Sequence, residues 1–215
     1  FSCRTANILV GNNEGCAVLE MTFMGPSMEV LCDTDIALTG ADMAIAINGN
    51  PAATWRSHRV KAGDVIKIAA AASGCRGYLS ITGGVDVPPV MGSRSTFVRA
   101  GIGGIKGRAL RKGDIIERDT GRLLSLARTL PSEFIPEYTR EITLRAIPGP
   151  QEDAFAASMD IFFSSVYEVT SQTDRMGCRL KGQALKHDPG AAKSIITEPT
   201  VPGNIQVPED GLPII

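Results

Sequence analysis

The sequence is poor in histidine and has no paired cysteines, and these absences argue against several kinds of site. His58 and His187 are the only histidines, whereas a zinc centre or a Ser-His-Asp triad needs histidines or CxxC pairs at suitable spacing. The cysteines are odd in number and none forms a CxxC pair: Cys3, Cys16, Cys32, Cys75 and Cys178. We therefore expect no metal site and no disulfide framework, but buried or half-buried thiols in a reducing cytosol.

The sequence also lacks a long apolar run and an excess of charge of one sign. No segment approaches the roughly 18 apolar residues that span a bilayer, and the formal net charge is -1. Such a chain has no overall electrostatic attraction to nucleic acid or anionic membranes. With 215 residues, 43% of them hydrophobic, it can bury one large core or two small ones. A cytoplasmic globular protein is the expected class.

Short alternating segments separated by turns dominate the first half of the chain. Strand candidates of ordinary length are Ala17–Phe23, Met28–Cys32, Met43–Asn48, Asp64–Ala70 and Gly77–Thr82. Turn residues separate them, in GPS at Gly25, TGAD at Thr39, NGNP at Asn48 and KAGD at Lys61. A second turn of this kind, RKGD at Arg111–Asp114, precedes another apolar segment, and we interpret both as hairpin connections rather than catalytic aspartates. This spacing of strands predicts a closed or sandwiched β architecture.

The pattern changes after Asp119. Residues 120–140 contain Pro131 and Pro136, which favours a connector. EITLRAI (Glu141–Ile147) is then predicted as a strand, residues 151–165 as the one convincing helix, and Ser165–Thr170 as a further strand. The sequence thus predicts a first lobe over 1–119, a connector over 120–140 and a second lobe over 141–215.

Glycine and arginine are concentrated in GSRSTFVRAGIGGIKGRAL (Gly92–Leu110). A dinucleotide-binding GxGxxG starting at Gly101 would need glycine at position 106, which is Lys106, and the chain contains no GxxxxGK[ST]. No amphipathic helix follows that could bind a pyrophosphate at its N-terminus. Gly101–Gly107 is therefore predicted to be a tight connection that lets two β segments approach closely.

Two short arginine-containing segments remain candidates for anion binding. In GSRST, Arg94 stands between Ser93 and Ser95; in SQTDRMGCRLKG, Asp174 precedes Arg175 and a glycine. Hydroxyls beside a guanidinium can form several charge-assisted hydrogen bonds to a carboxylate or phosphate. The alternative is a solvated ion pair at each turn, which contributes little to stability. Arg99 and Arg108 are interpreted as structural.

Several long segments together resemble one known family. They are, in order, ANILVGNNEGCAVLEMTFMGP, ALTGAD, ITGGVDVPPVMGSRSTFVRAGIGGIKGRALRKGD, TDRMGCRLKG and VPGNIQVPEDGLPII. The chain resembles the KipA / allophanate hydrolase subunit 2 family over nearly its whole length. Members of this family include the C subunit of bacterial ATP-dependent 5-oxoprolinase and part of the carboxyltransferase region of urea carboxylase.

The resemblance implies a mainly β fold of two cyclophilin-like β-barrel lobes with few helices. It implies a subunit of a hydrolase acting on cyclic amide C–N bonds, which converts 5-oxoproline to glutamate with ATP, and Mg in the complex, together with KipI-like and LamB/YcsF-like subunits. One alternative is the carboxyltransferase component of a urea carboxylase/allophanate hydrolase system, with biotin on a partner. Another is a KipA-type regulatory protein that binds and antagonises the kinase inhibitor KipI.

The grouping of hydroxyls, arginine and glycine that recurs in each lobe, taken with the reaction that the resemblance implies, gives the expected site residues. Arg94 and Arg175 would bind the substrate carboxylate and the phosphoryl charge, and Asp174 would orient Arg175 or act as a base. The hydrogen-bond donors that orient the substrate would be Ser93, Ser95 and Gln172. Full-length relatives begin with a segment like GLxTTVQDxGRxG and continue into one like ADRQTTGGYP. We therefore expect a fragment that lacks both family termini and is inactive alone.

Overall fold

The structure, a computed structural model, describes residues 1–139, 141–190 and 198–215. They divide into two compact units, Phe1–Ile142 and Thr143–Ile215. Strands predominate and helices are few and short, which confirms the predicted mainly β class. Residues 120–139, predicted as most of a connector, lie within the first unit. No helix in the described parts of the chain is long and apolar enough to cross a membrane.

The first unit is built on one six-stranded sheet around two long strands. β3 and β6 pair antiparallel at its centre, with β1 and β2 on β6 and β4 and β5 on β3. The helix and strands of this unit are α1 (Ser2–Leu9), β1 (Leu19–Thr22), β2 (Ser27–Glu29), β3 (Thr34–Ile47), β4 (Asn50–Ala52), β5 (Ser57–Val60) and β6 (Val65–Ile81). Two 3-10 turns, Val98–Ala100 and Ser132–Phe134, follow the sheet.

Two sequence predictions about the sheet are wrong because β3 and β6 bend without ending. The predicted turn at Thr39 lies inside β3, and the two strands predicted over residues 64–82 are one continuous β6. The β3–β6 register shifts between Gly40 and Ile45. Gly40 has φ +94°, and a Cβ there would collide with the Arg76 carbonyl oxygen. Glycine therefore allows a bulge where the sequence pattern indicates a break.

Alternate side chains of β3 and β6 form the core of the first unit. Ile36, Leu38, Met43 and Leu79 are each at most 1% exposed. Burial of each such side chain stabilises the fold by about 1.5–3 kcal/mol relative to exposure. The core cluster also contains Met21, Val30, Ala41, Ile45, Val60, Ile66 and Ile68. The apolar face predicted from the alternation in the sequence is thus the face that packs into the core.

Helix α1 was not expected from the sequence. Its buried residues include Ser2, Thr5 and Asn7 beside Ala6 and Leu9, so the helix shows no clear apolar stripe. A buried amide fixes it instead. Asn7 Nδ2 donates to the carbonyl oxygens of Glu14 (3.0 Å) and Cys16 (2.8 Å).

The same amide also links α1 to the sheet. Ser80 Oγ donates to Asn7 Oδ1 at 2.7 Å, and both side chains are fully buried. Since Ser80 is 73 residues from Asn7 and the two carbonyls lie beyond the end of the helix, contacts outside the helix rather than local propensity support it.

The second unit, Thr143–Ile215, has few regular elements, and these are short. It contains a 3-10 helix (Glu152–Ser158), α2 (Met159–Ser164) and the two-residue strands β7 (Glu168–Val169) and β8 (Leu180–Lys181), which pair with each other. The helix predicted over 151–165 is in the right place, but its first half is 3-10 and Phe155 has non-helical φ. The strand predicted over Ser165–Thr170 shrinks to β7.

The predicted strand at Glu141–Ile147 is absent. The structure assigns no strand to these residues, and no strand in the described chain pairs with them. Ile142, Leu144 and Ile147 are 72%, 77% and 89% exposed. Because strand pairing requires a partner with open backbone groups, alternation alone overpredicted this element.

None of the five cysteines forms a disulfide, but two are more exposed than expected. Cys3, Cys16 and Cys178 are half-buried, as predicted, whereas Cys32 and Cys75 are exposed. Cys75 lies on β6 within its least buried stretch, and Cys32 lies just after β2. Position in the sheet, rather than the usual burial preference of cysteine, decides their exposure.

Candidate functional site

The segment after β6 contains a tight hairpin turn that positions the first candidate triplet. The backbone N–H of Val90 donates to Ser93 O at 2.8 Å, and the N–H of Ser93 donates to Val90 O at 3.0 Å. Met91 and Gly92 both have positive φ, +51° and +78°, as in a type I′ turn. Ser93 therefore closes a tight turn, and Arg94 and Ser95 follow it directly.

Within this triplet the side chains form a compact local arrangement. Ser93 Oγ accepts a hydrogen bond from the N–H of Ser95 at 3.1 Å. Arg94 is exposed, and its Nη1 donates to Val87 O at 2.8 Å. This bond holds the base of the loop and uses one of the five guanidinium donors. Arg94 can therefore offer further donors to a carboxylate or phosphate.

A bidentate ion pair closes the far end of the same segment. Arg108 donates to the two carboxylate oxygens of Asp114 at 2.8 and 2.7 Å, and the N–H of Arg111 donates to Asp114 Oδ2 at 2.7 Å. The bonds from Arg108 have the largest effect and the bond from Arg111 the next largest, and together they hold the pKa of Asp114 well below its usual range. Arg108 is thus structural, as predicted.

The other glycine-aspartate turn repeats this arrangement without an ion pair. The N–H of Lys61 donates to Asp64 Oδ2 at 2.7 Å, and Asn48 Nδ2 donates to Asp64 Oδ1 at 2.8 Å. Both bonds lower the pKa of Asp64. Each aspartate organises a turn, so neither has the free carboxylate of a catalytic base.

The hairpin interpretation of these two turns is wrong. β5 and β6, which flank the turn at Lys61, both pair with β3 and not with each other. No strand follows Asp114 within the first unit as described; only isolated bridges at Arg118 and Thr129 do. The turn chemistry was therefore readable from the sequence, whereas the pairing of the flanking segments was not.

Gly101–Gly107 is a loop that folds on itself. The N–H of Phe97 donates to Ile102 O at 2.8 Å, and the N–H of Gly107 donates to Gly103 O at 2.9 Å. A Cβ at Gly104 would collide with the Thr96 side chain. Glycine is therefore needed for packing within the loop, and the only paired β residues here are the Phe97–Ile102 bridge.

This loop does not fit the phosphates of ATP. A phosphate-binding glycine loop presents consecutive backbone N–H groups at the start of a helix. Here no helix follows Gly107 within the first unit until the short 3-10 turn at Ser132–Phe134, and the N–H of Gly107 bonds within the loop. The residues that the structure describes thus provide no ATP cradle of the two familiar kinds.

The second candidate group lies in two consecutive turns of the second unit. The N–H of Asp174 donates to Gly177 O at 3.2 Å, and Asp174 Oδ1 accepts from the N–H of Met176 at 2.8 Å. The N–H of Gln172 donates to Thr170 Oγ1 at 3.3 Å. The structure thus places Gln172 in the turn between Thr170 and Thr173, and Asp174 and Arg175 in the turn that follows it. That these turns and the Ser93–Ser95 turn act on one substrate stays a prediction.

Sequence reasoning missed a buried charge beneath the sheet edge. Asp35 is 2% exposed and accepts from Arg59 Nε at 2.6 Å and from the N–H of Leu124 at 2.7 Å. These three residues line a cavity of about 180 Å³ together with Ser57, Ser125, Leu126 and Ala127. An aspartate within the apolar run TDIALT was the available signal, because a buried carboxylate needs partners.

Comparison with known proteins places this architecture in one family. The model of the carboxyltransferase domain, subdomains A and B, matches residues 1–215. The chain belongs to this family. It is 38% identical to the 5-oxoprolinase C subunit of Escherichia coli over 99% of this chain and 67% of that protein. It is 35% identical to the urea amidolyase of Saccharomyces cerevisiae over 86% of this chain and 11% of that protein.

Solved structures agree with this assignment. The crystal structure of TTHA0988 superimposes with a TM-score of 0.79 at 32% identity and covers 100% of this chain and 40% of that one. The Kluyveromyces lactis urea carboxylase gives a TM-score of 0.76 at 32% identity, over 86% of this chain and 18% of that one. The family resemblance read from the sequence motifs is therefore confirmed, and relatives belong to hydrolase and carboxylase systems.

Proposed function

We propose that the chain belongs to a subunit of an ATP-dependent 5-oxoprolinase that opens 5-oxoproline to glutamate together with KipI-like and LamB/YcsF-like subunits. The observation that carries this proposal is the 38% identity to the 5-oxoprolinase C subunit of E. coli, which extends over 99% of the chain. A second protein of that name, from Haemophilus influenzae, is 31% identical over the whole chain. The chain covers about two thirds of each of these proteins.

The Ser93–Ser95 turn supports a role in substrate binding. 5-Oxoproline carries a carboxylate, and an exposed guanidinium that uses one donor on Val87 O has donors left for it. The hydroxyls of Ser93 and Ser95 flank Arg94 and would orient the anion. We assign Arg94 to the substrate carboxylate.

The two turns of the second unit carry the remaining roles in the proposal. Arg175 would stabilise charge at the phosphoryl group, Gln172 would orient the substrate, and Asp174 would hold Arg175 or act as a base. ATP and Mg would bind in the assembled complex. The proposal assigns no residue of the described chain to the nucleotide, since the glycine loop lacks the features of a phosphate cradle.

Substitution of Arg94 in the assembled complex tests the assignment. We expect Arg94→Ala to lower 5-oxoproline-dependent ATP hydrolysis by about a hundredfold, since loss of one well-placed donor to a developing or bound charge has an effect of this order. Arg94→Lys should recover part of the loss because the charge remains. Arg122→Ala, which removes another exposed arginine of the first unit, is the matched control and should leave turnover unchanged.

The possible outcomes distinguish an error in the role of Arg94 from an error in the proposed reaction. If the three subunits hydrolyse ATP only with 5-oxoproline but Arg94→Ala is as active as wild type, the reaction stands and the role of Arg94 is wrong. If the mixture has no 5-oxoproline-dependent hydrolysis at all, the proposed reaction itself fails.

A second candidate function rests on the urea amidolyase relatives. The chain is 35% identical to the S. cerevisiae protein and superimposes on the K. lactis structure with a TM-score of 0.76. On this alternative the chain would act as the acceptor side of a carboxyltransferase, with biotin on a partner. Urea-dependent carboxylation in a mixture with a biotin carboxylase and a biotin carrier, without activity on 5-oxoproline, would favour it.

A further inference from the structure

The segment between the sheet and Asp114 has a charge pattern unlike that of the rest of the chain. From Pro88 to Gly113 there are six Arg or Lys residues and no Asp or Glu, whereas the whole chain carries a formal net charge of -1. The basic residues are Arg94, Arg99, Lys106, Arg108, Arg111 and Lys112. We call residues 88–113 the cationic loop. Arg108 forms a bidentate pair with Asp114, which lies just outside the loop.

The cationic loop is long and is tied by internal backbone hydrogen bonds. It contains no strand and one three-residue 3-10 turn, and loops of this length in compact domains are usually either functional or disordered. This one is tied by the Val90–Ser93 turn, the Phe97–Ile102 bridge and the Gly103–Gly107 bond. Its side chains are therefore displayed on a fixed backbone, which lowers the entropy lost on binding a partner.

Apolar side chains are exposed among these cations. Met91 is 97% exposed, Val98 57%, Leu110 44%, Phe97 44% and Ile102 41%. Met91 is the most informative of them because it has φ +51°, a conformation that disfavours long side chains. A type I′ turn would favour asparagine before Gly92. The molecule thus keeps a strained and fully exposed methionine at the tip of a turn, a combination typical of contact sites.

We propose that the cationic loop is a docking surface for an acidic face of a partner protein. Met91 and Val98 would pack against apolar side chains of that face, and Lys106 and Lys112 would meet its carboxylates. Such an arrangement, an apolar centre with charges around it, is the usual anatomy of a protein interface. The loop contains no carboxylate that could pair with a basic partner, so its charge is complementary to an acidic partner only.

The chemistry of the loop favours a protein over the other anionic surfaces. Recognition of single-stranded nucleic acid relies on several aromatic platforms, and the cationic loop has one aromatic residue, Phe97. Segments that lie on membranes are usually amphipathic helices, whereas the only helical part here is Val98–Ala100. The proposal does not depend on which reaction the protein serves.

Binding of a defined acidic peptide to the whole chain tests the proposal. The probe is a fluorescent peptide of alternating leucine and glutamate, followed by anisotropy at low salt. We expect saturable binding that weakens as NaCl rises from roughly 50 to about 300 mM, because salt screens the charge pairs. A peptide of alternating leucine and lysine should not bind.

Two variants and one control locate the binding surface. Lys106→Glu/Lys112→Glu should weaken binding by about tenfold or more, since reversal replaces attraction by repulsion. Met91→Asn removes the exposed apolar side chain and suits the turn, so it should weaken binding without loss of thermal stability. Lys61→Glu/Lys67→Glu makes the same charge change on the exposed side chains of another turn and strand and should bind like wild type.

Each other outcome overturns the proposal. Absence of binding, or equal binding by all variants, shows that the loop is not a docking surface for acidic proteins. Tighter binding to phosphatidylserine vesicles or to oligo(dT) than to the peptide assigns the surface to membrane or nucleic acid. Concentration-dependent self-association that both variants abolish makes a second copy of the chain the occupant.

Discussion

Substitution of Asp35 by asparagine should detach the segment around Leu124 from the sheet. The Asp35 carboxylate is 2% exposed and receives the N–H of Leu124 at 2.7 Å and Arg59 Nε at 2.6 Å. Asparagine has the same shape, but its single carbonyl oxygen cannot satisfy both donors. Its amide N–H₂ group would also face one of those donors, so that two hydrogen-bond donors would oppose each other.

The expected magnitude follows from the bond to Leu124. The Arg59 side chain is 40% exposed, so water can replace its lost partner, and we assign it no energy. A hydrogen bond to a charged acceptor such as the Asp35 carboxylate contributes about 1.5–3 kcal/mol. We therefore expect the free energy of unfolding to fall by this amount, a large share of the roughly 5–15 kcal/mol typical of a domain.

The single tryptophan provides the assay. Trp55 is 5% exposed, and its carbonyl oxygen accepts from the N–H of Leu130 at 2.9 Å, so its fluorescence reports on the same segment. Urea unfolding gives the free energy, and trypsin cleavage after Arg122 and Arg128 reports local detachment, which should be faster in Asp35→Asn. Asp42→Asn, an exposed position of the same strand, is the control.

The reasoning would be refuted by an unfolding free energy of Asp35→Asn within about 0.5 kcal/mol of wild type together with unchanged cleavage. In that case the segment around Leu124 would be held by its other bonds, such as the N–H of Arg128 to Ser57 Oγ at 2.7 Å. The reasoning would also be contradicted if Asp35→Asn and Asp42→Asn lost the same free energy of unfolding, because such a loss would reflect only the removal of a negative charge.

Two further predictions concern the glycine bulge and the loop ion pair. Gly40→Ala should destabilise the fold by about 1–3 kcal/mol more than Gly63→Ala in thermal unfolding. Both glycines have φ above +90°, so the backbone strain of the two substitutions is similar. A Cβ at Gly40 would collide with the Arg76 carbonyl oxygen, whereas a Cβ at Gly63 would meet no neighbouring atom. Equal losses would contradict the collision. Because the folded state holds the pKa of Asp114 far below its unfolded value, wild type should melt above Asp114→Asn at neutral pH. This difference should begin to shrink below about pH 4 and go on shrinking as the pH falls further. A difference that is undiminished at about pH 2 would contradict the role of the Arg108 pair.

The candidate site was partly readable from the sequence. The hydroxyl and guanidinium grouping at Ser93–Ser95 and the aspartate-closed turns depend on neighbours a few residues apart, and the structure has them as local turns. The cluster of Asp35, Arg59 and Leu124 was not readable because its partners are separated by up to 89 residues. Spacing along the chain contains no information about which distant backbone N–H approaches a carboxylate.

The amino-acid sequence by itself determined the mainly β class, the family and the turn chemistry, because these depend on alternation, motif order and residues that set local φ and ψ. Tertiary structure decided what depends on a partner. Helix α1 exists because Ser80 and two carbonyls satisfy Asn7. β6 continues through its bend because β3 pairs with it on both sides. Residues 141–147 have the same alternation but no paired strand in the described chain, so they form none, since backbone pairing is a property of two segments and not of one.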